Sequence, residues 1–224
     1  MLQNLISLFY PNLCAGCGNS LLKNERVICI SCRASMPRTD FHRFKENPVF
    51  KLFRGRTRVE ASTSLLYFNK GASVQQMLHQ LKYRGNIELG EELGGELGSV
   101  LKDSEFFKDV DVVMPVPLHP AKERKRGYNQ SMVIAKGVAR VMEVEASKNL
   151  VRKSFTQTQT RKTRYERWQN VSEVFEVKNG KQIRGRHVLL IDDVITTGAT
   201  LEACVNELLK EDGTKVSIAT LACA

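Results

Sequence analysis

The sequence predicts an α/β protein: a parallel sheet flanked by helices, with a small cysteine-rich module at the N-terminal end. Three observations carry this expectation. Short apolar runs at 110–114, 187–191 and 216–221 alternate with stretches of helical periodicity, as βαβ units require. Four cysteines fall as two Cys-x-x-Cys pairs between Cys14 and Cys32. The run ending at Ile191 is followed at once by two aspartates and then by Thr-Thr-Gly-Ala-Thr. With 224 residues there is room for one ordinary domain and something small. A composition of 42% hydrophobic and 26% charged residues is that of a folded chain and excludes wholesale disorder. The formal net charge of +10 favours an anionic partner, such as phosphate, nucleic acid or an acidic surface.

Met1 to Leu13 has neither the basic start of a secretion signal nor the length of a membrane span, and no run of about 18 apolar residues occurs elsewhere. Leu2, Leu5, Ile6, Leu8 and Phe9 read as a short amphipathic segment that packs on the rest of the chain. A chain without export signal is expected in the reducing cytoplasm, where clustered cysteines are metal ligands or buried thiols before they are disulfides.

Cys14-Ala-Gly-Cys17 and Cys29-Ile-Ser-Cys32 have the spacing of two metal knuckles. A two-residue gap lets both sulfurs of a pair reach one ion, and two pairs complete the tetrahedral thiolate shell of structural zinc. A redox pair would need only one such motif, after a strand and opening a helix, and no strand pattern precedes Cys14. Four thiolates leave no open position, so Cys14, Cys17, Cys29 and Cys32 predict a structural zinc site that supplies folding free energy to a segment too short for a core. The module is assigned to residues 1–37, a basic connecting segment to 38–60 and the main domain to 61–224. Cys204 and Cys223 stand alone and read as core residues of a helix and a strand.

In the main domain, Ala61 to Phe68 is a plausible strand. Val74, Met77, Leu78 and Leu81 follow at helical spacing, broken by Lys82-Tyr83-Arg84-Gly85. Leu89, Leu93, Leu97 and Leu101 mark a second helix, whose Gly90, Gly94, Gly95 and Gly98 suggest close packing on a sheet. Val110 to Met114 is a strand ending in Pro115; Ile134, Val138, Val141 and Met142 give the next helix its buried face, and Leu201, Val205, Leu208 and Leu209 the last. In open α/β sheets ligands sit beyond the carboxyl ends of the strands, so the chemistry is sought after Met114 and after Ile191.

The stretch Val188 to Thr200 is the most informative. A buried strand delivers Asp192 and Asp193 to its end, where carboxylates can accept hydrogen bonds from sugar hydroxyls. Thr196, Thr197, Gly198, Ala199 and Thr200 then offer backbone N–H groups and hydroxyls at a helix N-terminus, which is a phosphate cradle. The alternative is that the aspartates merely cap the helix. No lysine of a nucleoside-triphosphate loop and no Gly-x-Gly-x-x-Gly is present there.

These thirteen residues resemble the fingerprint of type I phosphoribosyltransferases. The resemblance implies binding of 5-phosphoribosyl 1-diphosphate (PRPP) with Mg²⁺, Asp192 and Asp193 holding the ribose hydroxyls and Thr196 to Thr200 the 5′-phosphate. Together with the cysteine pairs, Leu81-Lys82-Tyr83, Pro115-Val-Pro117, Arg126-Gly-Tyr-Asn-Gln130 and Gln159 through Arg167-x-x-Asn170, the chain looks like the ComF (ComFC/GntX) competence family. That likeness covers nearly the whole chain. It implies a cytoplasmic role in DNA uptake during natural transformation, with single-stranded DNA and a competence helicase or other DNA-uptake protein as partners. Two functions from different classes follow: PRPP as a ligand that sets loop conformation in a DNA-handling protein, or transfer of phosphoribose to an unidentified base or amine.

Residues 115–129 follow the strand that in the related fold carries the pyrophosphate loop. Pro117, Arg124, Lys125 and Arg126 are candidates for that role, with a solvated basic loop as the alternative. Tyr128 and Asn129 are better placed to anchor the segment to the next helix. Arg152 to Arg167, including Arg164 and Arg167, interleaves basic residues with Phe155 and Tyr165. It suits a flap closing over substrate, a single-stranded nucleic-acid contact or a solvated loop. His42, His79, His119 and His187 pair with no cysteine or carboxylate at ligand spacing and read as ordinary residues. No general base is nominated.

Overall fold

A computed structural model describes residues 11–68, 72–153 and 174–224. Among these residues the first helix, α1 (Ile30–Ala34), and a 3-10 turn (Phe41–Arg43) precede α2 (Pro48–Lys51) and β1 (Ser62–Tyr67). Then come α3 (Ala72–Tyr83), α4 (Ile87–Lys102), β2 (Val112–Pro115), α5 (Pro120–Arg126), α6 (Gln130–Met142) and β3 (Glu145–Ala146). Strands β4 (Leu150–Arg152) and β5 (Phe175–Val177) form a small antiparallel pair, and β6 (His187–Ile195), α7 (Ala199–Leu208) and β7 (Lys215–Cys223) close the chain.

Five strands make one parallel sheet in the order β1-β7-β6-β2-β3. From β2 the chain crosses to β3 on one side, whereas from β6 it crosses to β7 on the other. The neighbours β2 and β6 therefore flank the topological switch point, where a crevice opens beyond their carboxyl ends. Strands buried on both faces read as unbroken apolar runs, which is why the sequence marked them. Val113, Leu189, Ile191, Ala219 and Leu221 join the core beneath α3, α4 and α6. Val112, Met114, Val188, Leu190, Val216 and Ile218 join the core beneath α7.

The two N-terminal segments cover opposite faces. Cys14, Ala15, Val27, Ile28, Cys32 and Met36 share the α3–α4–α6 core. Phe41, Val49, Phe53 and Val59 belong to the α7 side. Arg38 reaches Glu96 on α4 at 2.6 Å, and Arg33 pairs with Glu92 and Glu96. Both arginines remain partly exposed, so these pairs orient the module more than they stabilise it.

The glycines of α4 pack on helix α6, not on the sheet as their spacing suggested. A Cβ at Gly94 would lie 2.4 Å from the Ile134 carbonyl oxygen, and one at Gly137 2.5 Å from that of Glu91. Here two helix backbones touch, and no side chain fits between them. Lys82 and Tyr83 also depart from expectation: they form the last turn of α3 and do not lie in the break.

Candidate functional site

Strand β6 overruns its neighbour. Pro115 at the end of β2 pairs with Ile191, and the Val116 N–H donates to the Ile191 carbonyl at 2.8 Å. Beyond that point β6 keeps its ladder with β7, Asp192 opposite Thr220 and Val194 opposite Ala222. The aspartates thus lie within the strand, as the first two of its last four residues, where the apolar pattern stopped and the ladder did not. Capping is excluded, because the N-cap of α7 is Gly198.

Asp192 accepts from the Ser131 hydroxyl and from the Asp193 N–H, both at 2.9 Å. Asp193 is only 5% exposed, and the Lys82 ammonium stands 3.0 Å from its Oδ2. That oxygen has no aligned hydrogen bond, so its compensation is the ion pair alone. Desolvation first, and then the charge of Asp193, push the Asp192 carboxyl up to about 7 against the pull of Ser131 and Lys82. Two adjacent carboxylates in a half-dry crevice offer oxygen acceptors for a vicinal diol.

Downstream, Thr196 and Thr197 turn the chain and Gly198 takes φ +75°, a left-handed conformation that a side chain disfavours. Gly198 has no side chain to cap α7, the Ala199 N–H reaches only the Thr197 Oγ1 at 3.5 Å, and the first N–H groups of a helix lack intrahelical acceptors. Thr196, Thr197, Ala199 and Thr200 are exposed. From behind, Arg56 donates to the Thr197 carbonyl at 2.9 Å and pairs with Glu202, while the Phe53 ring lies against Gly198. The connecting segment therefore braces the loop at Thr197 and Gly198.

The candidate diphosphate segment is not the basic loop expected from its charges. Pro120 to Arg126 is helical, opened by His119, whose Nδ1 accepts from the Ala121 N–H at 3.2 Å, and closed by Gly127 at φ +80°. Pro at the first turn and Gly after the last explain the helix. Arg124 and Lys125 are exposed on it. Arg126 turns back, donating to Gln130 Oε1 at 2.8 Å with its guanidinium 5.5 Å from the Tyr83 ring centroid. Tyr128 and Asn129 anchor the segment as expected: the Tyr128 hydroxyl donates to the Leu81 carbonyl, and Asn129 caps α6 and donates to the Val116 carbonyl at 3.1 Å. Pro117 lines a cavity of about 490 Å³ with Leu118, Tyr128, Met132, Val151 and Arg152, and residues 192–200 take no part in it. Arg164 and Arg167 lie outside the described residues.

At the other pole, the sulfurs of Cys14, Cys17, Cys29 and Cys32 all lie within 4.8 Å of one another, a cluster that can hold a metal ion. The Cys17 and Cys29 sulfurs are 3.8 Å apart. That is about the edge of a tetrahedron with Zn–S bonds of about 2.3 Å. Gly16 and Cys29 donate backbone N–H groups to Cys14 Sγ at 3.3 Å each. Burial opposes ionisation of Cys14, yet these N–H groups, with that of Cys17, bring its thiol down to about 6. Burial and the neighbouring thiols raise Cys32 instead. Cys204 is buried in α7, and Cys223 is half-buried at the end of β7. His187 is buried with Nε2 2.8 Å from Ser217 Oγ, and His79 packs beside Tyr83.

Sequence reasoning missed four contributors. Ser131, Arg56 and Phe53 carried no local signal, because each acts across a long loop of chain. Lys82 did carry one, in the Leu81-Lys82-Tyr83 triplet, but without a partner its role was illegible.

The family described as Phosphoribosyl transferase domain matches residues 129–223. The chain is 29% identical over 215 residues to Competence protein ComFC of Bacillus subtilis (strain 168), spanning 89% of this chain and 85% of that one. It is 28% identical to Competence protein F of Haemophilus influenzae over 61% of this chain and 62% of the relative. DNA utilization protein YhgH of Escherichia coli (strain K12) is 26% identical over 63% of each. Among solved structures, the glutamine phosphoribosylpyrophosphate amidotransferase from B. subtilis aligns with 63% of this chain and 30% of its own, at 19% identity and a TM-score of 0.46. The purine phosphoribosyltransferase from Pyrococcus horikoshii aligns with 60% of this chain and 73% of its own, at 19% identity and a TM-score of 0.39.

Proposed function

We propose that the chain is a ComF-like, phosphoribosyltransferase-related protein that binds PRPP with Mg²⁺ in support of single-stranded DNA uptake in the cytoplasm. One observation carries the reading: two adjacent carboxylates at the switch point of a parallel sheet, followed at once by an open helix N-terminus at Gly198. Asp192 and Asp193 accept the ribose hydroxyls. Thr196 to Thr200 take the 5′-phosphate with backbone N–H groups and hydroxyls, favoured by the positive end of α7. Arg124, Lys125 and Arg126 supply positive charge near the diphosphate.

Magnesium fits the donors at hand. It favours hard oxygen ligands and is commonly held by one or two carboxylates together with substrate phosphates, and the aspartate pair is the acidic group of this crevice. When bound it neutralises the diphosphate oxygens. Zinc fits the cysteine cluster, where four thiolates close its coordination and give it a structural role.

The DNA role is supported by relatives named for competence and DNA utilization, and by the exposed Arg124 and Lys125 on α5. Calorimetric titration of PRPP with Mg²⁺, with and without single-stranded DNA, tests the reading. Saturable PRPP binding that changes with DNA is expected. Absence of PRPP binding would remove the proposal, and pyrophosphate release with added bases or amines would replace the ligand role by group transfer.

A further inference from the structure

Among the described residues, Lys82 is the one basic side chain within ion-pair distance of the acidic pair. Its place in the fold tells on which side of the site it stands. The last turn of α3 is fixed to the 116–129 segment at two points: the Tyr128 hydroxyl donates to the Leu81 carbonyl, and the Arg126 guanidinium lies over Tyr83. The phosphate-cradle side is braced instead by Phe53 and Arg56. Lys82 thus meets Asp193 from the helix turn whose neighbours Leu81 and Tyr83 touch the segment assigned to the diphosphate. Its side chain is 26% exposed, so the ammonium is reachable from the crevice while it touches an acid that is nearly dry.

A lysine stem is long and flexible, and its ammonium is a point charge that can serve two anions from one position. We propose that Lys82 is a diphosphate-recognition residue: it neutralises Asp193 in the free protein and engages the diphosphate when phosphoribosyl diphosphate binds. The inference deepens the PRPP reading and rests on it. It adds selectivity, because a ligand with the same ribose 5-phosphate but no diphosphate gains nothing from this contact. In that way the site separates the activated sugar from its hydrolysis product.

The experiment compares wild type, Lys82→Met and Lys82→Arg for binding of PRPP, ribose 5-phosphate and inorganic pyrophosphate, each with Mg²⁺, by calorimetry. The expected result is a loss of about tenfold or more in affinity for PRPP and pyrophosphate in Lys82→Met. Ribose 5-phosphate should weaken much less, so the ratio of the two sugar affinities collapses, and Lys82→Arg should restore part of it. An equal loss for PRPP and ribose 5-phosphate with pyrophosphate unchanged would overturn the proposal, because Lys82 would then act only by holding Asp193. Unchanged PRPP affinity in Lys82→Met would overturn it as well. Wild type that binds neither sugar phosphate would instead bring down the PRPP reading and the inference with it.

Discussion

Gly198 and Gly127 have nearly the same backbone conformation, φ +75° and +80°, in different surroundings, and replacing each by alanine separates two energies. At Gly127 a Cβ would meet nothing within 4 Å, so Gly127→Ala carries only the left-handed penalty of about 1–2 kcal/mol. At Gly198 the Cβ would lie 3.1 Å and 3.2 Å from two carbons of the Phe53 ring. Phe53 is about 1% exposed and Val49 about 2%, so the ring has little room to retreat. Overpacking of this kind costs about 1–3 kcal/mol more, which puts Gly198→Ala at about 2–5 kcal/mol. Urea unfolding of both variants reads the difference directly, and a protein of this size should lose about 2–4 °C of Tm per kcal/mol. Phe53→Leu in the Gly198→Ala background should recover part of the loss by making space, a non-additivity that a double-mutant cycle reports. Equal destabilisation of the two alanine variants, or strict additivity with Phe53→Leu, would show that the connecting segment does not clamp the loop before α7.

Purified protein should hold about one zinc per chain, and Cys17→Ser should lose most of it; equal metal in both, or iron in place of zinc, would sink the assignment. Asp193→Ala and Thr197→Ala should each weaken PRPP about tenfold or more, with metal content unchanged, and unchanged affinity in both would leave the loop without a ligand role. Single-stranded DNA affinity should fall with salt at about −0.7 per neutralised phosphate, and neutralising Arg161, Lys162 and Arg164 together should flatten that slope by about two if they contact the strand. Burial lowers the pKa of His187, so its contribution to stability is present above about 6.5, the unfolded value, and is lost as pH falls below it. His187→Gln should show a shallower fall in urea midpoint between pH 7 and pH 5, and an identical pH slope would show that this imidazole is not responsible.

The parts of the fold that local chemistry decides were legible. A strand buried on both faces must be apolar throughout, so Val188 to Ile191 announced itself, and the paired cysteines announced theirs by spacing alone. The end of β6 was illegible for the same reason. Its last four residues are Asp192, Asp193, Val194 and Ile195, and a carboxylate inside a ladder looks in sequence like the end of one. The basic stretch at 120–126 misled in the opposite direction. Its charges suggested a loop, whereas Pro120 at the first turn and Gly127 after the last were helix boundaries in plain view.

The glycines of α4 show where pattern gives out. Their presence required a close approach, but period alone does not name the partner. Only the fold reveals that Gly94 and Gly137 face one another's helices across a backbone contact. That crossing has a consequence for the site. With α6 pressed onto α4, Ser131 in its first turn meets Asp192 at 2.9 Å, and Tyr128 just before it reaches the carbonyl of Leu81 on α3. The acid pair is therefore held by residues from two helices, Ser131 on Asp192 and Lys82 on Asp193, each far in sequence from the strand that carries the carboxylates. The cysteine module supports the same helix from its other side, since Gln80 of α3 donates to the Ala15 carbonyl at 3.0 Å. A sequence motif can specify the carboxylates and the cradle because they are contiguous. The groups that set their charge arrive through the fold, and Lys82 shows it most clearly: one turn of helix decides whether Asp193 faces an ammonium or nothing.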